Sequence, residues 1–186
     1  STSQTAAPVV RFSVMPTGEA LPAAARSIAI SPDGSRLAYV AGGWLWLREL
    51  AATEAVQMPG TEGSGGEPFF SPDGEWVGFF DVNTGLRKLR VRGGTPPVTI
   101  VVNAGRQLGG SWGTDGTIVF ADGVGLFTIN ADGGPAQLLA RPAAERGEVR
   151  YAWPNILPGR RVALFTILRD TIANAEIALI DLDTKQ

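Results

Sequence analysis

Aspartates recur on similar polar turns along the chain, and they are the first residues whose type could support chemistry. Asp33 and Asp73 each stand third in the sequence SPDG, and Asp115 stands third in GTDG. A pair of carboxylates can act as general acid and base when its members lie on the order of 5–10 Å apart. These aspartates are at least 40 residues apart, one in each recurring segment, so the predicted role is to cap turns.

The absence of two residue types excludes most other catalysis. The 186 residues include no cysteine and no histidine. Disulfides, thiolate chemistry and sulfur-based zinc sites are therefore excluded, as are Ser-His-Asp, Cys-His and histidine–metal mechanisms within this chain. The segments NADGG (130–134) and DLD (181–183) offer oxygens, but not at a spacing that supplies the roughly 6–8 ligands calcium takes. We predict no catalytic residue, no metal and no cofactor.

Composition narrows the class of partner. The formal net charge is −2 and hydrophobic residues make up 44% of the chain, enough for a sizeable core. Charges are mixed along the sequence, which argues against nucleic acid, and no apolar stretch reaches the roughly 18 residues of a membrane helix. The N-terminal STSQTAAP is typical of a polar linker rather than of an intact signal peptide, so we expect the chain to be cut from something longer.

The turns recur at a nearly constant interval. Gly34, Gly74, Gly116 and Gly159 are separated by steps of 40, 42 and 43 residues. Serine or aspartate at the start of a turn accepts backbone hydrogen bonds, proline presets φ, and glycine accepts positive φ. The third and fourth turns are expected to be one residue shorter, and the fourth lacks the aspartate. The residues assigned to these turns are Ser31, Pro32, Asp33, Gly34, Ser71, Pro72, Asp73, Gly74, Asp115, Gly116 and Gly159.

Short apolar runs flank every turn, and helix signals are poor. A period of about 40 residues with four strands in each unit predicts an all-β fold, a β-propeller of four-stranded antiparallel blades, with about four blades in this chain. The last blade lacks its outer strand. The expected segments are a tail (1–7), a leftover strand (8–16), and blades at 17–61, 62–104, 105–140 and 141–186.

An unpaired strand edge recruits partners, so the ends of the propeller need an explanation. Residues 8–15, PVVRFSVM, are hypothesised to supply the missing strand of the last blade, in the same chain or in a second copy. Three arrangements stay open: a closed four-bladed monomer, a ring of two chains with eight blades, or a fragment of a larger propeller. The fragment is favoured, because propellers commonly have more than four blades and the sequence ends abruptly after a third strand.

Candidate binding residues lie on loops that do not repeat. In a four-stranded blade, the loop from strand 2 to strand 3 and the loop to the next blade share one face, and loops on a rigid scaffold commonly carry function. Their mixed charge favours a polar protein or peptide partner, although a solvated rim has the same composition. The residues of this face are Glu62, Glu67, Asp81, Arg106, Arg141, Glu145, Arg146, Glu148, Arg169 and Asp170.

Tryptophans and one basic cluster complete the candidates. Trp153 lies near the start of an innermost strand, where it either faces the central channel and stacks on a small ligand or packs between blades. Trp44 and Trp46 share a face of a third strand and are expected in the core, and Trp112 is expected to be structural. The segment LRKLRVR (86–92) places Arg90 and Arg92 on one strand face, expected to be solvated and without an aromatic ladder for nucleic acid.

The SPDG turn, the apolar run after it and the later DGG turn resemble the TolB-like, WD-related propeller repeat from Val9 onward. Longer stretches, such as PGTEGSGGEPFFSPDGEWVGFF and RYAWPNILPGRRVALFTIL, look like the propeller C-terminal to the membrane helix in many bacterial serine/threonine kinases. This resemblance implies a non-catalytic sensor or protein-interaction domain on the periplasmic or extracellular side. The chain itself has no kinase motif.

Three functions follow as hypotheses. The first is a binding module for a protein, a peptide or a ligand at the channel. The second is the regulatory propeller of a larger enzyme, a kinase or a peptidase with a propeller gate. The third is a structural oligomer of open blades, such as a homodimer that shares blades or strands.

Overall fold

The computed structural model describes residues 28–102, 105 and 108–186. They form fifteen strands and two short 3-10 helices, at Ala144–Arg146 and Ile172–Asn174. The strands of the first two sheets are β1 Ile28–Ile30, β2 Arg36–Ala41, β3 Trp44–Glu49, β4 Val56–Gln57, β5 Ser64–Phe70, β6 Trp76–Asp81, β7 Gly85–Arg90 and β8 Val98–Val102. The strands of the last two are β9 Gly110–Trp112, β10 Thr117–Ala121, β11 Leu126–Asn130, β12 Gln137–Ala140, β13 Arg150–Ile156, β14 Val162–Leu168 and β15 Glu176–Asp181.

Each sheet is an antiparallel meander of consecutive strands. The orders are β1-β2-β3-β4, β5-β6-β7-β8, β9-β10-β11-β12 and β13-β14-β15, and the four sheets are the blades of a β-propeller. The predicted all-β propeller of four blades, with a last blade of three strands, is confirmed. The segment proposed to complete that blade, residues 8–15, lies outside the described residues.

The recurring turn joins the first two strands of a blade. In the first blade, the Ser31 N–H donates to the carbonyl of Arg36 at 2.9 Å and the Gly34 N–H donates to the carbonyl of Ser31 at 2.8 Å. Gly34 has a φ of +71°, a conformation that glycine adopts without a Cβ clash. The Asp33 carboxylate accepts from the Ser31 hydroxyl and from the Ser35 N–H, which caps the turn.

The fourth turn differs from its expected shape. The Leu157 N–H donates to the carbonyl of Val162, so this turn spans as many residues as the first one, and the expectation of a shorter turn is wrong there. Gly159 takes positive φ one place earlier in the turn, which keeps the length without an aspartate. The third turn is short as expected, because the Gly113 N–H donates to the carbonyl of Thr117.

Apolar side chains fill the three interfaces between successive blades. Leu45 and Phe79 pack between the first and second blades, Phe80 and Phe120 between the second and third, and Phe165 between the third and fourth. The middle strands β6 and β10 contribute to the interfaces on both of their sides, and β2, β6 and β10 are each buried on both faces. Burial of a side chain of this size is worth about 1.5–3 kcal/mol, so these contacts hold the blades together.

The tryptophans of β3 do not lie where the sequence predicts. Leu45 and Leu47 are the buried residues of this strand, and Trp44 and Trp46 are only partly buried, so the assignment of both tryptophans to the core is wrong. Strand alternation explains the difference, because only one face of β3 meets the second blade. Trp46 instead stacks on Tyr39, with ring centroids 6.4 Å apart.

The fourth blade exposes an apolar face. Ile177 and Leu179 of β15 are 70% and 59% exposed, whereas Ile180 of the same strand faces the third blade and is buried. Within the described part of the chain, no apolar cluster joins the fourth blade to the first. This face is therefore open to a further contact.

Candidate functional site

The innermost strands of all four blades surround a cavity of about 340 Å³. Ile28 of β1, Glu67 of β5, Ser111 of β9 and Trp153 of β13 contribute to its wall. Among the described residues that line it, Glu67 is the only one that carries a charge. The other lining residues are mostly apolar by type, but polar atoms make up most of the surface that the wall exposes to the cavity.

Three positions of this wall share an unusual backbone conformation. Glu67, Gly109 and Trp153 have φ values of +54°, +97° and +51°. Each stands four residues before the first residue of its turn, so the same feature recurs in three successive blades. For a bulky non-glycine residue this conformation costs on the order of 1–3 kcal/mol and is held only when the surrounding structure enforces it.

Register shifts place these residues outside the strand ladders. The pairing of β5 with β6 shifts between Gly66 and Phe69, and that of β13 with β14 shifts between Ala152 and Asn155. Glu67 and Trp153 therefore lie at irregular positions, where side chains no longer alternate regularly between the two faces of the strand. Sequence reasoning missed Gly109, although its constant spacing from the turn was a usable signal.

Contacts between the third and fourth blades fix Trp153 in the wall. The Trp153 N–H donates to the carbonyl of Leu108 at 2.6 Å. A Cβ at Gly109 would lie 3.1 Å from the Trp153 Cα and 3.2 Å from its Cδ1, so a side chain there would crowd the tryptophan, and the positive φ would strain it as well. The Ile156 N–H donates to the Ser111 hydroxyl at 2.9 Å, which joins the same two blades. Trp153 thus lines the cavity and also packs against Gly109 of the neighbouring blade, so it combines features of its two predicted positions, and stacking on a ligand stays a prediction.

A buried carboxylate organises the loop before β13. Glu148 accepts hydrogen bonds from the Tyr151 hydroxyl at 2.6 Å, from the Ala143 N–H at 2.8 Å and from Arg146 Nε at 2.9 Å. Burial acts to raise the pKa of Glu148, but these three donors outweigh it and hold that pKa below its usual range. Burial and the Glu148 carboxylate together raise the pKa of Tyr151 to about 12.

A second loop is tied to the first. Arg169 donates to the backbone carbonyl of Arg146 and to Glu176, the latter at 3.1 Å. Asp170 accepts from the Asn174 side chain at 2.9 Å, which closes the short helix of this loop. We call residues 141–149 and 169–175 together the loop ridge. Four predicted binding residues are exposed or nearly so on the ridge: Arg141, Glu145, Arg146 and Asp170.

The remaining predicted residues are elsewhere. Asp81 is buried and caps the β6–β7 hairpin by accepting from the backbone N–H of Asn83 at 2.8 Å, and it pairs with Arg87 at 3.0 Å. Glu62 is exposed in the β4–β5 loop, and Arg106 lies outside the described residues. We call the cavity between the four innermost strands the axial cavity. The residues predicted to share one face therefore lie in three places, which are the axial cavity, the loop ridge and the edge of the second blade.

The basic cluster has a different arrangement from the predicted one. Strand β7 ends at Arg90, so Arg92 lies beyond it and the two do not share a strand face as predicted. Lys88 is buried rather than solvated, with its Nζ 3.1 Å from the Asp132 carboxylate. Lys88 and Arg90 both lie over the Trp76 ring, 4.8 and 4.9 Å from its centroid, a contact worth about 0.5–2 kcal/mol.

In the described part of the chain, no group of three or more histidine, cysteine, aspartate or glutamate side chains is arranged to hold a metal ion. None of the helices in this part of the chain has the length and apolar character needed to cross a membrane.

Comparisons with known proteins relate the chain to solved propellers. No protein-family model matches it, and no curated protein matches it by sequence. TolB from Acinetobacter baumannii is similar with a TM-score of 0.66 and 19% identity, over 85% of this chain and 41% of that one. A chain of the nidogen/laminin complex is similar with a TM-score of 0.67 and 12% identity, over 86% of this chain and 60% of that one.

An enzyme has the same fold. An oligogalacturonate lyase in complex with manganese is similar with a TM-score of 0.65 and 13% identity, over 86% of this chain and 50% of that one. The chain thus spans between 41% and 60% of the length of these three. At such identities the likeness shows the TolB-like propeller fold alone.

Proposed function

We propose that this chain is a non-catalytic β-propeller module that binds a protein or peptide partner on its loop ridge. The observation that carries the proposal is the Arg169 contact with the Arg146 backbone, which joins two non-repeating loops into one surface. The two loops expose charges of both signs, and Ile172 of the second loop is exposed as well. A polar surface that also presents an apolar side chain is typical of a protein-binding patch. One solved propeller of similar fold belongs to a protein–protein complex, nidogen with laminin.

The site chemistry supports binding rather than catalysis. The only charged residue that lines the axial cavity in the described part of the chain is Glu67, and one carboxylate gives no acid–base pair. The ridge carboxylate Glu148 is buried and committed to three donors, so it holds the loop together. The likeness to a lyase carries no catalytic residue over to this chain.

A charge-reversal experiment tests the ridge. A phage-displayed peptide library is selected on the immobilised chain, and the selected peptides are measured by calorimetry in solution. The triple variant Arg141→Glu, Glu145→Lys and Asp170→Lys should weaken binding at least about tenfold, because like charges would then face each other across the interface. The control is Glu54→Lys, which changes an exposed charge on the β3–β4 loop. Equal affinities for the wild type and the triple variant would overturn the proposal.

The biological setting is proposed from the sequence resemblance. The propeller would be the sensor or interaction domain of a larger bacterial signalling protein, on the periplasmic or extracellular side of the membrane. The alternative is a regulatory propeller of an enzyme, either a kinase or a peptidase with a propeller gate. The full reading frame distinguishes them: a kinase domain and membrane helix upstream support the first setting, and a hydrolase domain downstream supports the peptidase.

A second candidate role is self-assembly. We infer that two copies of the chain pack the fourth blade of one against the first blade of the other. The exposed apolar side chains of the fourth blade favour this contact, since Ile177 and Leu179 of β15 meet solvent. The molecular mass in solution tests it.

A further inference from the structure

We propose that the face opposite the loop ridge binds an apolar chain that ends in a carboxylate. In each antiparallel meander, the turn between the first and second strands lies at the other end of the strands from the loops that form the ridge. A cavity of about 530 Å³ lies among these turns, and we call it the turn cavity. The proposal thus adds a second site to the function proposed for the ridge.

All four recurring turns contribute to the wall of the turn cavity. Pro32 and Pro72 come from the first two turns, Asp115 from the third and Pro158 from the fourth. Proline fixes φ, so three of these turns have a restricted backbone beside the cavity. The volume is within the range of about 300–1,000 Å³ that is typical of small-molecule sites.

The wall of the turn cavity is mainly apolar. Trp112, Ile156 and Leu157 belong to it, and apolar atoms make up most of the surface that it exposes. The axial cavity has the opposite balance. An apolar wall favours a ligand with an aliphatic or aromatic body, because binding then removes apolar area from water.

Three charged side chains belong to the described wall, and two of them neutralise each other. Arg161 pairs with Asp115 of the wall, and its Nε also lies 2.7 Å from Asp183, which is outside the wall. Arg160 is exposed and takes part in none of the ion pairs among the described residues. The cation that remains for a ligand is therefore Arg160, which favours an anion and disfavours a second cation.

The fourth turn holds Arg160 beside the apolar wall. The Arg160 N–H donates to the carbonyl of Leu157 at 3.1 Å, and the Leu157 N–H donates to the carbonyl of Val162 at 2.9 Å. An arginine stem packs along apolar surface while its guanidinium stays in water, and a guanidinium commonly binds a carboxylate through two parallel hydrogen bonds. A ligand carboxylate at the mouth of the cavity can thus pair with Arg160 while the apolar chain is buried.

Calorimetry with small probes tests the turn cavity. Octanoate has the expected chain and charge, octanamide is its neutral counterpart, and octylammonium has the opposite charge. We expect octanoate to bind at least about tenfold more tightly than octanamide or octylammonium. It should also bind about tenfold more tightly than hexanoate, which has two fewer methylene groups to bury. Equal affinities for octanoate and octanamide would overturn the proposal.

A peptide probe identifies the source of the carboxylate. N-acetyl-leucyl-leucine ends in a free carboxylate between apolar side chains and solvent, and its C-terminal amide is the neutral control. Tighter binding of this peptide than of octanoate assigns the cavity to peptide C-termini, and the reverse assigns it to free aliphatic acids. If neither the peptide nor octanoate binds, the proposal fails.

Variants locate the binding. Arg160→Gln should weaken octanoate at least about tenfold and leave octanamide unchanged, whereas Leu157→Asn should weaken both. The matched control is Arg92→Gln, which replaces another exposed arginine at the β7–β8 hairpin, outside the wall. Urea unfolding of every variant separates a lost site from a lost fold. An octanoate affinity that is unchanged in Arg160→Gln would contradict the assignment.

The ridge variants separate this site from the partner site. Arg160→Gln should retain the peptides selected on the ridge, and the triple ridge variant should retain octanoate. If the ridge variant loses octanoate and Arg160→Gln retains it, the carboxylate binds on the ridge and the turn-cavity proposal fails. If the ridge variant retains its peptides while Arg160→Gln loses octanoate, the turn cavity stands and the ridge is wrong as the partner site.

Discussion

At the scale of single residues, two carboxylates of similar sequence appearance have different environments. Asp73 accepts hydrogen bonds from the Ser71 hydroxyl and the Glu75 N–H, and these bonds lower its pKa. This turn-capping role could be predicted from the sequence because the turn repeats. The burial of Glu148 could not be predicted from the sequence, because it depends on contacts with Tyr151 and with the backbone of Ala143. Glu148 was predicted on a polar binding face, and no local pattern distinguishes it from exposed Glu145.

The Glu148 network gives a prediction for pH dependence. Glu148→Gln removes a buried charge that accepts three hydrogen bonds, so it should lower the free energy of unfolding by about 1.5–3 kcal/mol at neutral pH. Because the pKa of Glu148 is lower in the folded state, its stabilisation is present above the unfolded pKa of about 4.3 and is lost as the pH falls through the folded pKa. The difference between wild type and variant should therefore shrink in acid.

Tyrosine titration provides the second readout of that variant. The pKa of Tyr151, about 12 in the wild type, should fall in Glu148→Gln because the neighbouring negative charge is gone. Ultraviolet difference titration follows tyrosinate formation, and Tyr151→Phe assigns the transition between the two tyrosines of the chain. Glu145→Gln is the control and should change stability by less than about 0.5 kcal/mol. An unshifted Tyr151 transition in Glu148→Gln would contradict the network.

At the scale of elements, one aromatic ring joins the second and third blades. Phe69 of β5 is buried, and a Cβ at either Gly78 of β6 or Gly110 of β9 would overlap its ring. The two glycines therefore provide the space that the ring occupies. Sequence periodicity predicted the strands but not this contact, because it depends on residues of three different strands.

The packing around Phe69 predicts a compensating pair of substitutions. Gly78→Ala should lower the free energy of unfolding by about 1–3 kcal/mol, since its methyl group meets the ring in a filled core. In a Phe69→Leu background the same Gly78→Ala change should cost less, because the ring atoms that it would meet are absent. Urea unfolding of the four proteins gives the coupling energy. Additive effects of the two substitutions would show that the ring and the glycine do not share this space.

Strands β3 and β7 show why some predicted side-chain environments were wrong. The alternation in β3 told which residues share a face but not which face meets the next blade, so Trp44 and Trp46 were assigned in place of Leu45 and Leu47. In β7 the strand ended earlier than expected, and the burial of Lys88 was not foreseen because neither Trp76 nor Asp132 is near it in sequence. Long-range partners determine these environments.

At the scale of the whole molecule, the period of about 40 residues was sufficient to predict a propeller with a three-stranded last blade. A repeated unit that buries its faces only against its neighbours has few alternative architectures. The axial cavity was harder to predict from the sequence than the fold. Its wall collects one short segment from each blade, and the left-handed conformations of Glu67 and Trp153 leave no composition signal.

The exposed face of the fourth blade predicts the behaviour of the molecule in solution. The corresponding face of each other blade is covered by the next blade. In the fourth blade, Ile177 and Leu179 meet solvent instead, which is unfavourable for apolar side chains this large. We therefore expect light scattering to give twice the chain mass of 19.5 kDa at micromolar concentration. The double variant Ile177→Lys and Leu179→Lys should reduce the mass to that of one chain, because a blade contact would then bury two charges.

A matched substitution controls for a general effect of added lysines. Val124→Lys also replaces an exposed apolar residue, but it lies in the β10–β11 hairpin, away from the open face of the fourth blade. It should leave the mass at twice that of the chain. Circular dichroism of each variant confirms that the sheets persist. A wild-type mass of one chain at all concentrations would contradict the two-chain contact, and so would an unchanged mass in the double lysine variant.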